Sequence, residues 1–428
     1  MRHYTDKVNK IGTKNISTIG PKVECEASIY VDDIEHAGSH INTTERAAMN
    51  CRSMEEMRKF TFNNEVEKTA FMIMKPKKKS KYKEELRTKI KRGTIRRTKE
   101  YKYLGEWYNE EYNHKKSIQV RENKAMGIIP QIKHYGDPYK VGNMAPQVRM
   151  EIFQSTVIPT IFHDVEGWSK ISKKDIEELE KIQKNVLTAI LDMPKTTPYI
   201  GLLSELGVWP VEELLDYKRI MLLHQIITSE EGRFIKEVIE RQIKDTFKGC
   251  WMEQTKEICS KYSLGIQAIR SLSKHKLKTL LKRKISKNLD LKIQEEAKNK
   301  TKLRFCRDFN RKLYTKKGSM CHKTVRNIMK MRLNMLELKC NYKGTSNSDA
   351  CNLCGVELDT TEHLFSCQEI TKNIQIIPDA KILQNDEEKS YDELGDFLKK
   401  ICKIKNRYGK NSTGKFGKYE KKPRHVHN

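Results

Sequence analysis

The sequence predicts a mainly α-helical chain that opens on a small α/β segment and carries a compact Cys/His module towards its C-terminal end. Three observations carry that expectation. Apolar stripes with a 3.6-residue period and recognisable caps run from about residue 111 to about 340. Short alternating or β-branched runs occupy the stretch before 110. Four soft metal ligands fall within seventeen residues, between Cys351 and Cys367.

Residues 1–24 show no periodicity and end near Gly20-Pro21, so they are expected to fray. Order is expected from Cys25, with CEASIY as a short strand and Val31-Asp32-Asp33 as a turn. Residues 43–60 read as a helix capped by Thr43 or Thr44, with Ala47, Cys51, Met54 and Met57 on one face. KTAFMIM at 68–74 reads as a second strand. Residues 75–102 hold fourteen basic groups against three acids, which suits a solvated connector or a loop facing nucleic acid. YKYLGEWY at 101–108 alternates bulky apolar and polar residues around Gly105, consistent with a hairpin or a bulged strand.

From there to about Thr228 the pattern is helical. Ser172 with Asp175 three places on forms a capping-box signature. Ile176, Leu179, Ile182, Val186, Leu187 and Ile190 then keep one stripe until Pro194. Thr197-Pro198 starts the next helix and Gly207 ends it. Pro210 opens a third, VEELLDYKRIMLLHQII, apolar enough for the inside of a bundle. Residues 323–338 form another amphipathic helix. Residues 373–428 are expected to be a tail, in which the stretch from Lys403, with nine basic groups and one acid together with Gly and Ser, reads as disordered.

Lysine and arginine number 84 against 56 acids, a net charge of +28 that favours a polyanionic partner, RNA or DNA. Between Lys274 and Lys312 fifteen basic residues against four acids interleave with Leu277, Leu280, Leu281, Ile285 and Leu289. One face can therefore bury while another meets phosphates. Lys282, Arg283, Lys284, Lys302, Arg304 and Arg307 are the candidates for that contact. No run of eighteen apolar residues and no apolar signal core is present, so no membrane role and a nuclear or cytoplasmic site are expected. Eleven scattered cysteines do not form a disulfide framework, and most should be free thiols.

Three of those cysteines belong to the sharpest motif, Cys351, Cys354, His363 and Cys367, spaced C-x2-C-x8-H-x3-C. Two cysteines separated by two residues turn both sulfurs towards one ion, and a His and Cys four apart complete a tetrahedron suited to structural zinc. Asn352 and Gly355 suit the turn around the first pair. A second constellation, Tyr30-Val31-Asp32-Asp33, places paired carboxylates where magnesium could be held. Glu35, His36 and His40 offer another metal reading, which Gly38 weakens by breaking the helix that would align the two imidazoles.

Order along the chain adds to this. IYVDDI at 29–34, NNEVEKT ending in Lys68-Thr69, and YKYLG at 101–105 together resemble the closing stretch of a reverse-transcriptase palm. IFQSTVIPTIFHDVEGW, LEKIQKNVL, KTTPYIGLLSELGVWP and CNLCGVELDTTEHLFSC extend the resemblance to non-LTR retrotransposon reverse transcriptases, over roughly residues 25–370. The resemblance implies an RNA-directed DNA polymerase in which Asp32 is the principal magnesium ligand and Asp33 its weaker partner. Lys68 would protonate the leaving pyrophosphate, and Tyr103, Leu104 and Gly105 would form the primer grip. It divides the chain into a palm remnant over 25–110, a helical thumb-like bundle over 111–230, a basic helical region over 231–340 and a zinc knuckle over 341–372.

Two-metal nucleotidyl transfer needs carboxylates from two strands. The family's other aspartate lies on an earlier strand, which Tyr4-Thr5-Asp6 does not resemble. The expectation is thus a truncated polymerase that binds nucleic acid without polymerising alone, partnered by a missing polymerase half or target DNA. The alternative is a stand-alone zinc-dependent nucleic-acid-binding protein. A nuclease reading rests on Asp379 with Glu387, Glu388 and Lys389, after the pattern of an endonuclease that some relatives place behind the knuckle.

Overall fold

The computed structural model describes residues 27–30, 33–36, 69–74, 85–87, 94–134, 146–230, 233–316, 320–341, 349–384 and 386–411. Helix dominates them, as the periodicity predicts. The helix proposed at 43–60 lies outside the described residues, as do residues 1–24.

The strands come first. β1 (Ala27–Tyr30) and β2 (Asp33–His36) pair antiparallel with Tyr30 opposite Asp33. β3 (Ala70–Phe71) lies parallel to β5 (Thr94–Arg97), whose other edge pairs antiparallel with β4 (Glu85–Arg87). β6 (Glu100–Tyr103) and β7 (Glu106–Asn109) form a hairpin. The described strands thus fall into three small sheets and not one continuous sheet. Part of the basic 75–102 stretch, read as a connector, is strand. Thr94 and Ile95 bring β-branched residues to it, and Arg97 is neutralised by Glu110 at 2.6 Å.

The β6–β7 turn is made by Leu104 and Gly105, both with positive φ (47° and 90°). That is the two-residue geometry whose twist matches the flanking strands. Glycine adopts it freely, whereas Leu104 is strained there.

Helix boundaries follow local chemistry. The Lys173–Ile190 helix opens on the capping box: Asp175 N donates to Ser172 Oγ at 3.1 Å, and Ser172 N donates to Asp175 Oδ2 at 2.9 Å. Pro198 caps the Tyr199–Leu206 helix and Gly207 (φ 62°) closes it with N–H bonds to Leu203 O and Ser204 O. Glu212 and Glu213 occupy the first turn of the Val211–Thr228 helix, where the helix dipole favours carboxylates. The Lys274–Asn299 helix buries Leu277, Leu281, Ile285, Leu289 and Ile293, a stripe repeating every four residues.

The described helices include none long and apolar enough to cross a membrane. The described cysteines are all free.

The chain divides into two compact units. One draws on residues up to Asn123 with Ile161–Leu179 and Leu215–Leu281, the other on Lys124–Thr160, Glu180–Leu214 and Lys282 onwards. Each unit gathers segments that are distant in sequence.

In the first unit Arg219 is fully buried and its guanidinium donates to Thr255 Oγ1 and to the carbonyls of Trp168, Ser169 and Trp251, at 2.8–3.0 Å. In the second, the Glu388–Asn411 helix buries Tyr391, Leu394, Phe397, Leu398, Ile401 and Ile404 and packs on the His322–Arg332 helix. The tail expected over 373–428 is therefore a core helix through much of its described length. Its apolar i, i+3, i+4 repeat outweighs the basic, glycine-containing composition that follows.

Candidate metal centre

The chain segment 349–367 folds back on itself so that four distant side chains meet. Ala350 bridges Leu358, and Cys351 N donates to Glu357 O at 2.7 Å, closing a short loop. Gly355 turns inside it with φ 73°, its N–H donating to Cys351 O at 2.8 Å. His363 then starts a single helical turn, His363–Ser366, and Cys367 follows it.

The loop brings Cys351, Cys354, His363 and Cys367 together with their ligand atoms within 4.8 Å of one another. Cys351 Sγ lies 4.0 Å from Cys367 Sγ, and Cys354 Sγ lies 3.3 Å from His363 Nε2. A tetrahedral ion with ordinary zinc–sulfur and zinc–nitrogen bonds sets such separations at about 3.6–3.8 Å. The group can hold a metal ion, and its three sulfurs and one imidazole suit one such as zinc.

Electrostatics prepare the site for a cation. The backbone N–H groups of Glu357 and Val356 bring the Cys354 thiol down to about 6. Burial instead pushes the Cys367 thiol up to about 11, against the N–H groups of Ile370 and Glu369. A bound cation supplies the charge that makes the buried thiolate favourable. His363 presents Nε2 to the sulfurs, and its Nδ1 sits 2.8 Å from Glu357 Oε2. A carboxylate in that position fixes the imidazole's orientation and tautomer. The sequence reading missed Glu357; an acid between the second cysteine and the histidine was the available signal.

The module is anchored. Lys339 N donates to Asp359 Oδ2 at 2.9 Å, Thr361 Oγ1 to Asn334 Oδ1 at 2.7 Å, and the Phe365 and Phe397 rings stack 5.0 Å apart. Leu364 and Ile370 are buried beneath it.

The other site residues are placed as follows. Asp32 and Lys68 lie outside the described residues, and Asp33 begins β2. Tyr103, Leu104 and Gly105 form the end of β6 and the tip of the hairpin, with Leu104 exposed. Lys282, Arg283 and Arg307 are exposed, while Lys284 and Lys302 are half-buried. Arg304 is engaged, donating to Glu362 at 2.7 Å and lying over the Phe305 ring. Through Glu362, the residue before His363, it ties the basic segment to the Cys/His module.

Of the nuclease candidates, Asp379 Oδ1 accepts from Lys381 N at the turn over Ala380–Gln384, and Glu387, Glu388 and Lys389 lie at the head of the last helix, where Tyr391 N donates to Glu387 O. No protein family, curated protein or solved structure matches this chain.

Proposed function

We propose that this chain is a nucleic-acid-binding protein of the non-LTR reverse-transcriptase type, in which a structural zinc ion at Cys351, Cys354, His363 and Cys367 rigidifies the C-terminal module. The observation that carries the reading is the Lys274–Asn299 helix. Its apolar stripe is buried, while Lys274, Lys276, Lys278, Lys282, Arg283 and Lys287 are exposed. Lys276, Arg283 and Lys287, seven and four residues apart, share one side of the helix. No described acid pairs with them. An exposed row of unpaired cations suits a phosphate backbone, which is read without regard to sequence.

The resemblance in motif order supports the polymerase lineage, with magnesium at Asp32 and Asp33 as the implied catalytic ion. The test is a salt titration of RNA and DNA duplex binding. Each neutralised phosphate contributes about 0.9 to the log–log slope. Replacing Lys276, Arg283 and Lys287 by Gln should lower the slope by roughly two to three. Affinity that stays level between low and moderate salt would sink the reading.

A further inference from the structure

One recess in the structure is built from residues that the proposed function does not use. It opens at the end of the β6–β7 hairpin, between Trp107–Tyr108, the turn through Tyr112 to His114, and the 164–168 loop. Its volume is about 130 Å³, close to the roughly 150 Å³ of a cavity known to hold one benzene ring. Aromatic side chains supply half of the lining residues. Tyr108 and Tyr112 are 38% and 42% exposed, and the His114 ring stacks on Trp168 at 3.7 Å with the planes 4° apart.

Two of the lining residues, Tyr112 (φ 59°) and Asp164 (φ 56°), hold a left-handed backbone, which strains the bulky Tyr112 and which aspartate tolerates better. Such strain persists only where the surroundings enforce it, and it gathers at functional sites. The loop that carries Asp164 is held in place as well. Arg121 donates to His163 O at 2.6 Å, Lys218 to Phe162 O at 2.7 Å, Trp251 Nε1 to Glu166 O at 2.9 Å and Arg219 to Trp168 O at 2.8 Å. The 162–168 loop is thus pinned by four side chains from behind. Trp168, 5% exposed, keeps its indole N–H without an acceptor. Asp164 accepts no hydrogen bond from a described side chain, and the other acid on the wall, Glu106, is occupied by Arg121 at 2.5 Å.

A ring-sized aromatic slot with one available carboxylate suits a flat ligand that presents N–H donors. With a net charge of +28 the chain repels cationic peptides and attracts polyanions. We propose that this recess takes the base of an unpaired nucleotide and prefers guanine, whose N1–H and N2–H would both donate to the Asp164 carboxylate while its ring lies against Tyr112 and Tyr108. The inference shares with the proposed function only the premise that the chain meets nucleic acid.

The experiment titrates the full chain with GMP, IMP and UMP, following tryptophan fluorescence. GMP should bind about tenfold more tightly than IMP, which lacks the N2 donors, and more tightly than UMP. Asp164→Asn should erase the GMP-over-IMP preference. Tyr112→Gly should weaken GMP about tenfold through lost stacking. The Lys276, Arg283 and Lys287 to Gln variant should bind GMP as the parent does. Absence of polynucleotide binding by the parent chain, with GMP binding intact, would therefore defeat the proposed function alone. Equal responses to the three nucleotides, indifference to Asp164→Asn, or tighter binding of methylguanidine or tetramethylammonium than of GMP would overturn the recess assignment.

Discussion

Arg332 Nε donates to both carboxylate oxygens of Glu205, at 3.1 and 2.9 Å, with both side chains sealed from solvent. Tyr314 adds its hydroxyl to the same carboxylate at 2.5 Å, and Arg332 reaches the carbonyls of Leu383 and Phe305. Removing one partner leaves the other charge buried and alone. Glu205→Ala should therefore cost about 3–5 kcal/mol, read from the urea midpoint. A paired replacement by apolar residues, Glu205→Leu with Arg332→Met, should recover much of that loss. A single substitution costing under about 1 kcal/mol would show that the pair contributes little.

Gly207 offers a second test. A Cβ there would sit 2.6 Å from Arg311 N and 2.7 Å from Arg311 Cβ, on a backbone with φ +62°. Backbone strain and collision add, so Gly207→Ala should lower stability by at least about 1–3 kcal/mol. Thermal unfolding would check it, with an unchanged Tm as the contrary result.

Metal content is the third. The protein expressed with zinc should carry one ion per chain, and Cys354→Ser should release it. Glu357→Gln should keep the ion but weaken it about 10–100-fold in competition with a chromophoric chelator. Chelation should also loosen the module around Leu364 and Phe365, raising amide exchange there. Equal affinity for parent and Glu357→Gln would deny that carboxylate its orienting role.

The fourth concerns acid. Burial lowers the His114 pKa below 6.5, opposed by Asp175 and the Lys170 carbonyl. The unfolded chain therefore takes up this proton before the folded one does. The stability held by neutral His114 is fully present above 6.5 and fades as pH falls through the window down to its folded value. His114→Phe keeps a ring against Trp168 and removes the proton site. The Tm difference between parent and variant should shift in the parent's disfavour on acidification across that window, and a constant difference would refute the assignment.

Features written in neighbouring residues were legible. The Ser172–Asp175 box, the Gly207 stop, the Leu277-to-Leu289 stripe and the C-x2-C-x8-H-x3-C spacing are all set within one or a few turns of chain. Relationships closed across long loops were not. Glu205 and Arg332 are 127 residues apart, and no local pattern marks either as buried. The recess likewise joins Tyr112 to Asp164 through tertiary packing alone. The last helix was legible in principle through Tyr391, Leu394, Leu398 and Ile401, but the basic, glycine-containing composition beyond it dominated the reading.

That last helix also dictates when the second unit can become whole. Tyr391 packs against Tyr314 at 4.8 Å between ring centres, and the Leu383 carbonyl just ahead of the helix holds Arg332. A ribosome adding about 5–20 residues per second would leave the 124–160 and 180–214 segments waiting, on the order of tens of seconds, for the residues that shelter them. During that interval their apolar faces are open to chaperones and to neighbouring nascent chains. The second unit is thus completed only once this last-made helix has emerged.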